Sequence, residues 1–92
     1  MQLIWSRRAV ADLQTIRAYI AKDNLKAATD VAEHIMSASD ALIEHPNMGR
    51  VGRIYNTREW VVSELPYILV YKATSTTIHI LHVIHTSRNW PL

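Results

Sequence analysis

Pro46 separates two halves of this chain that differ in the spacing of their apolar residues. Before Pro46 the apolar residues recur every three or four positions, which is typical of amphipathic helices. After it they alternate with polar residues or form short runs, which is typical of strands. A helical half followed by a β half predicts an α+β fold, in which the helices cover a sheet.

The helical half begins with a short strand and continues into two helices. Residues 2–5 form an apolar run, and Ser6 suits the N-cap of a helix that extends to about Lys22. Asn24 suits the N-cap of a second helix, which ends near His45 because the residue before a proline disfavours the helical conformation. So short a link predicts an antiparallel hairpin whose apolar faces need a sheet to cover them.

The β half contains three predicted strands joined by tight connections. They span residues 54–63, 67–73 and 78–85. The stretch that leads into them, residues 46–53, holds both glycines and is expected to form a loop from helix to sheet.

The last predicted strand has apolar side chains on both faces, which is typical of a central strand. Simple alternation places these side chains on two faces: Ile78, Ile80 and Ile84 on one, Leu81 and Val83 on the other. One face can pack on the helices. The second face must then be covered by something else, such as another chain.

Three histidines in the same strand raise the question of a metal site. Alternation puts His82 on the opposite face from His79 and His85, and those two lie roughly 20 Å apart on an extended chain. They cannot share a metal ion. We therefore predict no metal site, and nothing in the sequence indicates a cofactor.

Length and composition limit the kind of protein this can be. Ninety-two residues predict a single domain, residues 1–92, with a small core and a shallow groove or protruding patch. The absence of cysteine excludes a disulfide scaffold and a cysteine-based zinc site. Neither a signal peptide nor an apolar run of membrane-spanning length is visible. We expect a cytoplasmic protein that does not associate with membranes.

Charge is distributed unevenly between the two halves. Residues 1–45 carry five Lys or Arg and six Asp or Glu, whereas residues 46–92 carry five and two. The sheet half therefore has a net charge of +3, which favours an anionic partner, either nucleic acid or an acidic protein segment. Ordinary scatter of charged residues is the alternative explanation.

Arginine and tryptophan residues near the predicted strand ends are candidates for a protein-binding surface, because both types are common interface anchors. They are Arg50, Arg53, Arg58, Arg88, Trp60 and Trp90. Alternatively, the two tryptophans fill the small core, since the chain contains no Phe.

The same region holds residue types that could cleave RNA through attack of a 2′-hydroxyl. That reaction needs a base, an acid and cations around the phosphate. The candidates are His85, Arg58, Arg88 and Tyr67. Alternatively, His85 and Arg88 anchor the chain end while Tyr67 and Tyr71 belong to the core.

Ordered motifs link these segments to a known family. A strand-to-helix opening at residues 5–13 is followed by Pro-x-x-Gly-Arg at 46–50, Thr-Arg-Glu at 57–59, Pro-Tyr-x-x-x-Tyr at 66–71 and His-x-x-Arg-x-Trp at 85–90. In this order they cover nearly the whole chain. The sequence thus resembles the ParE/RelE superfamily of bacterial toxins from type II toxin–antitoxin systems.

The resemblance implies a growth-inhibiting toxin with an N-terminal strand and an antiparallel helical hairpin packed on a curved antiparallel β-sheet. A cognate antitoxin encoded beside it would wrap the toxin with a helical segment. Operator DNA would be bound by the complex, mainly through the antitoxin.

The superfamily has two branches with different targets. The last three motifs look like the ParE branch, which inhibits DNA gyrase; the RelE branch cleaves messenger RNA on the ribosome. RelE-type nucleases generally carry a catalytic Arg or Glu in the strand that here reads Tyr67 to Tyr71, where this sequence has apolar residues. The ParE branch is therefore favoured, with a RelE-like endoribonuclease and an inactive antitoxin-binding toxin as alternatives.

The resemblance also assigns candidate site residues. The expected target-binding residues are Arg58, Glu59, His85, Arg88 and Trp90. The expected antitoxin-binding residues are Arg50, Arg53, Trp60, Tyr67 and Tyr71. If the chain is a nuclease, the catalytic candidates are His85, Arg58 and Arg88.

Overall fold

The computed structural model describes residues 1–88 and 90–91, which form one sheet and a helical hairpin. The elements in chain order are β1 (Gln2–Trp5), α1 (Arg7–Ala21), α2 (Leu25–Glu44), β2 (Arg50–Val51), β3 (Arg58–Val61), β4 (Tyr67–Ala73) and β5 (Thr77–His85). The five strands lie in the order β1-β5-β4-β3-β2. The predicted α+β fold is confirmed. The sheet is mixed, because β1 joins β5 in parallel while the other pairs are antiparallel.

Side-chain caps begin both helices at the predicted positions. The Ser6 hydroxyl accepts a hydrogen bond from the Ala9 backbone N–H at 3.0 Å. The Asn24 side-chain oxygen accepts one from the Ala27 N–H, also at 3.0 Å. Each cap satisfies a backbone donor that has no partner inside its helix. These two residues therefore determine where the helices start.

The β half contains four strands rather than the predicted three, and β3 is shorter than expected. The prediction failed at residues 52–57, which close a loop on themselves. The Gly52 N–H donates to the Thr57 carbonyl at 2.8 Å, and the Thr57 hydroxyl donates to the Ile54 carbonyl at 2.6 Å. Asn56 has a positive φ of 62°. Backbone groups used inside the loop are unavailable for a strand ladder.

A β-bulge interrupts the pairing of β4 with β5. Tyr71 pairs with Ile80, and the preceding Val70 pairs with His82, so Leu81 is an extra residue on β5. A bulge of this kind shifts the alternation of all later side chains by one position.

The bulge overturns the predicted faces of Val83, of Ile84 and of the histidines in β5. Val83 was predicted opposite to Ile78 and Ile80, but it packs with them in the helix-facing cluster. Ile84 was predicted on the same face as Ile78 and Ile80, but it packs in the cluster on the opposite face. His82 was predicted on the opposite face from His79. Their pairing with β4 instead places both on one face, whereas His85 pairs with Tyr67 on the helix-facing side. Simple alternation fails here because the extra residue resets the period.

The two faces of the sheet carry separate apolar clusters. The helices pack on the face that bears Leu69, Tyr71 and Ile80, each 0% exposed. The opposite face, here called the open face, carries Ile68, Val70 and Ile84, which pack against Trp90. The second face of the sheet was predicted to need a cover such as another chain. The chain's own C-terminal segment supplies part of that cover through Trp90.

Side chains of α1 complete the edge of β5 beyond the point where β1 stops. The Ser6 hydroxyl donates to the Leu81 carbonyl at 3.0 Å. The Asp12 carboxylate accepts the Val83 N–H at 3.0 Å and is also bound by Arg8 at 2.9 Å. These contacts satisfy backbone groups that no strand reaches and attach the hairpin to the sheet.

Within the described residues no helix combines the length and apolar character needed to span a membrane.

We expect Asp12→Ala to lower the free energy of unfolding by about 1–3 kcal/mol, because it leaves the Val83 N–H without its acceptor. The matched control is Asp30→Ala, which removes an exposed carboxylate that also pairs with a basic residue one turn earlier, Lys26. That change should cost only about 0.3–0.5 kcal/mol. Urea unfolding of both variants is the measurement. Equal losses of unfolding free energy in the two variants would show that the contact between Asp12 and β5 contributes nothing to stability.

Candidate functional site

A buried carboxylate holds two arginines on the open face. The Glu59 side chain is 0% exposed and accepts hydrogen bonds from Arg50 at 3.0 Å and from Arg53 at 2.9 Å. The Arg53 backbone N–H also donates to Glu59, at 2.9 Å. The arginine side chains remain 59% and 43% exposed. Glu59 therefore fixes one side of each guanidinium and leaves the rest in solvent.

The protonation of Glu59 follows from this arrangement. Burial acts to raise its pKa, but the hydrogen bonds from Arg53 and Arg50 outweigh burial and lower the pKa from 4.5 to about 2. The carboxylate is thus ionised at neutral pH and balances one of the two adjacent positive charges. A residue with no exposed side-chain surface cannot meet a target directly, so we assign Glu59 to holding the arginines.

Trp90 lies against the open face next to the same arginine. Its carbonyl accepts a hydrogen bond from Arg53 at 3.1 Å, and its ring lies 4.9 Å from the His82 ring, centroid to centroid. Its indole N–H is buried and has no hydrogen-bond partner among the described residues. Glu59, Arg53 and Trp90 therefore connect β3, the preceding loop and the C-terminal segment.

Arg58 lies at the opposite end of the sheet from His85. It pairs with Tyr71 near the end of β4, whereas His85 pairs with Tyr67 at the start of β4. Four residues of strand separate these positions, or roughly 13 Å. The Arg58 guanidinium donates to the Gly49 carbonyl at 2.8 Å. Arg58 is therefore used to hold the loop before β2.

His85 is the last residue of β5, Arg88 lies in the turn that follows it, and both are exposed. The Ser87 backbone N–H donates to His85 Nδ1 at 3.0 Å. In the neutral ring this leaves the proton on Nε2. The ring meets Tyr67 edge-on, with centroids 5.4 Å apart.

Two adjoining grooves of about 430 and 380 Å³ separate this end of the sheet from α1. Both are lined by Thr15, Ile16, Tyr67 and His85. Tyr19, which is 71% exposed, borders one of them, and Arg88 borders the other. No sequence pattern indicated Tyr19 or Ser87, because only the packing of α1 and the turn after β5 bring them here.

Tyr71 and Tyr67 belong to the helix-facing core. The Tyr71 hydroxyl donates to the Pro46 carbonyl at 2.8 Å and accepts the Gly49 N–H at 3.0 Å. Burial raises the pKa of both tyrosines. A Cβ on Gly49 would lie 2.8 Å from the Tyr71 hydroxyl, so this close approach requires glycine. Trp60 is half-buried against the same core.

The predicted site residues therefore fall into three groups. Arg50, Arg53, Glu59 and Trp90 meet on the open face; Tyr67, His85 and Arg88 meet at the end of β5; Arg58, Trp60 and Tyr71 lie on the helix-facing side. Among the residues that the structure describes, no three His, Cys, Asp or Glu side chains are placed to hold a metal ion.

Comparison with known proteins gives a consistent result. The family described as the ParE toxin of the type II toxin–antitoxin system parDE matches residues 3–90. Y4kP of Sinorhizobium fredii, named as a candidate toxin, is 46% identical over 87 residues, or 95% of this chain and 90% of that protein. The toxin RelE2 of Caulobacter vibrioides is 37% identical over 87 residues, which cover 95% of this chain and 97% of that protein.

A solved structure supports the same fold. It is described as a chromosomal ParDE TA system from P. aeruginosa and superposes with a TM-score of 0.82. The match covers 92% of this chain and 95% of that chain, at 23% sequence identity. At this identity the likeness concerns the arrangement of helices and strands.

We expect Glu59→Gln to lower stability at neutral pH by about 2–3 kcal/mol, because the shift of the Glu59 pKa to about 2 stabilises the folded state. A depressed pKa contributes stability that is present above the unfolded-state value of 4.5 and is lost as pH falls towards about 2. The difference between wild type and variant should therefore nearly vanish at about pH 2.

Urea unfolding at neutral and acid pH measures this difference. The control is Glu44→Gln, an exposed carboxylate at the end of α2. A Glu59→Gln difference that stays constant with pH would contradict the role of the ionised carboxylate.

Proposed function

Since this chain belongs to the ParE family of toxins from type II toxin–antitoxin systems, we propose that it stops bacterial growth by inhibiting DNA gyrase. We further propose that a cognate antitoxin keeps it inactive, and that it acts in the cytoplasm. Inhibition is by binding, without a chemical step.

The observation that carries this proposal is the separation of Arg58 from His85. Cleavage of RNA needs a base, an acid and cations within hydrogen-bond reach of one phosphate. Arg58 and His85 lie at opposite ends of β4, and Arg58 is bound to the Gly49 carbonyl at 2.8 Å. The three nuclease candidates therefore do not converge on one phosphate.

The target surface proposed here begins at the end of β5. His85 and Arg88 are exposed side by side, with a hydrogen-bond donor at His85 Nε2 and a full positive charge at Arg88. Trp90 continues this surface onto the open face, where Arg53 holds its carbonyl. Exposed Arg and aromatic side chains are frequent anchors of protein interfaces.

The proposed antitoxin is a protein with a helical segment that covers the toxin. The grooves between α1 and the end of β5 offer Ile16 and Tyr67 to apolar side chains of such a segment. Arg50 and Arg53 offer charged contacts to its acidic residues. Tyr71 is 0% exposed, so it supports the shape of this surface and does not contact the antitoxin directly. Operator DNA would be bound through the antitoxin.

An endoribonuclease is the second candidate, and one observation favours it. His85, Arg88 and Tyr67 line adjoining grooves, so a histidine and a cation are available to one substrate even without Arg58. The relative from Caulobacter vibrioides carries a RelE name. Under this hypothesis His85 would serve as the base or the acid.

Inducing the chain in cells without its antitoxin distinguishes these functions. We expect growth arrest with altered plasmid supercoiling and intact transcripts. Rapid cleavage of translated messages with normal supercoiling would instead support the nuclease, and continued growth would support an inactive toxin that only binds its antitoxin.

Arg88→Ala should weaken gyrase inhibition about fivefold or more, because truncation of an interface anchor typically costs above about 1 kcal/mol. The control is Lys26→Ala, since Lys26 is 84% exposed on α2 and pairs with Asp30 one turn later. Inhibition of supercoiling by the purified variants is the measurement. Equal inhibition by both variants would contradict a target surface at the end of β5.

A further inference from the structure

We propose that the open face binds the sugar–phosphate backbone of DNA, so that the toxin contacts the DNA held by gyrase as well as the enzyme. This inference rests on the proposed function, because it concerns the same target. It follows from how charge, apolar surface and arginine geometry are arranged on that face.

Strand pairing places several cations on the open face. Arg50 pairs with Glu59, Glu59 pairs with Val70, and Lys72 lies two residues further along β4 on the same side. Arg53 binds Glu59 from the adjacent loop at 2.9 Å. These residues line the half of the face formed by β2, β3 and β4.

Arg88 adds a cation near the end of β5. Arg88 follows three residues after the last residue of β5 and lines the groove between this end of the sheet and α1. Arg50, Lys72 and Arg88 are all exposed. Arg50 and Lys72 therefore lie on the open face, and Arg88 lies in the turn beyond the end of β5.

Acidic residues are almost absent from this face. Glu59 is 0% exposed and already paired with two arginines. Six of the eight acidic residues fall within residues 1–45, the part of the chain that forms α1, α2 and the turn between them. The hairpin packs on the opposite side of the sheet. The net positive charge of the molecule therefore lies in its sheet half, at +3, against −1 for residues 1–45, and this asymmetry orients the open face towards a polyanion.

The apolar surface of the open face is not available as a peptide groove. Its central residues Ile68, Val70 and Ile84 are at most 4% exposed and pack against Trp90. Two exposed apolar residues, Ile4 and Val61, lie on β1 and β3, with β5 and β4 between them. The described residues leave no continuous apolar patch on this face for a protein partner, whereas a phosphate backbone needs only cations and donors.

The arginines on this face are suitably held for phosphate. Glu59 binds one side of each guanidinium, while the Arg50 and Arg53 side chains remain 59% and 43% exposed. A guanidinium presents several N–H donors in a rigid plane, so the exposed ones can bind phosphate oxygens. Tyr55, in the loop after Arg53, is 93% exposed and available to stack on an unpaired base.

The salt dependence of DNA binding tests this proposal. The probe is a short fluorescent DNA duplex titrated with the purified toxin at several salt concentrations. If Arg50, Arg53, Lys72 and Arg88 each neutralise one phosphate, the slope of log K against log salt should be about −3 to −4. Lys72→Gln should weaken binding and reduce the magnitude of the slope by about 0.9.

A matched control separates this face from general positive charge. Arg17→Gln removes an exposed cation from α1 and should leave the slope unchanged. Equal effects of Arg17→Gln and Lys72→Gln would overturn the proposal. Tighter binding to RNA of the same sequence than to the DNA duplex would also overturn it, in favour of an RNA ligand.

Inhibition of gyrase is measured on the same variants, so the two proposals can fail separately. The DNA contact is overturned if the wild type inhibits gyrase without binding DNA and Lys72→Gln inhibits gyrase equally well. The proposed function would still stand in that case. DNA binding on this face without any effect on supercoiling would refute the proposed function. Loss of both DNA affinity and gyrase inhibition in Lys72→Gln, with normal folding, is the expected result.

Discussion

The buried carboxylate of Glu59 is the interaction on which the functional half of this protein depends. Removing a carboxylate from water is unfavourable unless charged donors surround it, and here Arg50 and Arg53 supply them at 3.0 and 2.9 Å. Arg53 also binds the Trp90 carbonyl at 3.1 Å. One residue of β3 thereby fixes the edge of the sheet, the loop beside it and the C-terminal segment, and leaves two guanidinium groups facing solvent.

Local rules predicted most of the fold from the sequence. Ser6 and Asn24 begin their helices as expected, because a capping side chain acts on backbone groups three residues away. The faces of β4 followed simple alternation. The extra residue at Leu81 could not be predicted, because a bulge is determined by the register between β4 and β5 and by the contacts that α1 makes with the edge of β5. Every error in the assignment of β5 side chains follows from it.

The candidate site was predicted by residue type more accurately than by position. The prediction placed the functional residues at strand ends in a single region. Antiparallel order instead puts the start of β3 and the end of β5 at opposite ends of the sheet. Arg58 and His85 were separated for that reason. Glu59 was expected to bind the target, on the strength of the family resemblance, but its side chain is 0% exposed. Its burial depends on two arginines from outside β3, which no local pattern indicates.

Hydrogen exchange of the toxin, alone and bound to gyrase with DNA, measures which surface of the toxin the target covers. The informative amides are those of loop residues 52–57 and turn residues 86–88, which flank the open face and the end of β5. Our account predicts that binding protects both segments and leaves exposed amides of α2 unchanged. Protection confined to α1 and α2, with no change in either segment, would show that the target binds the helical side and would contradict the account.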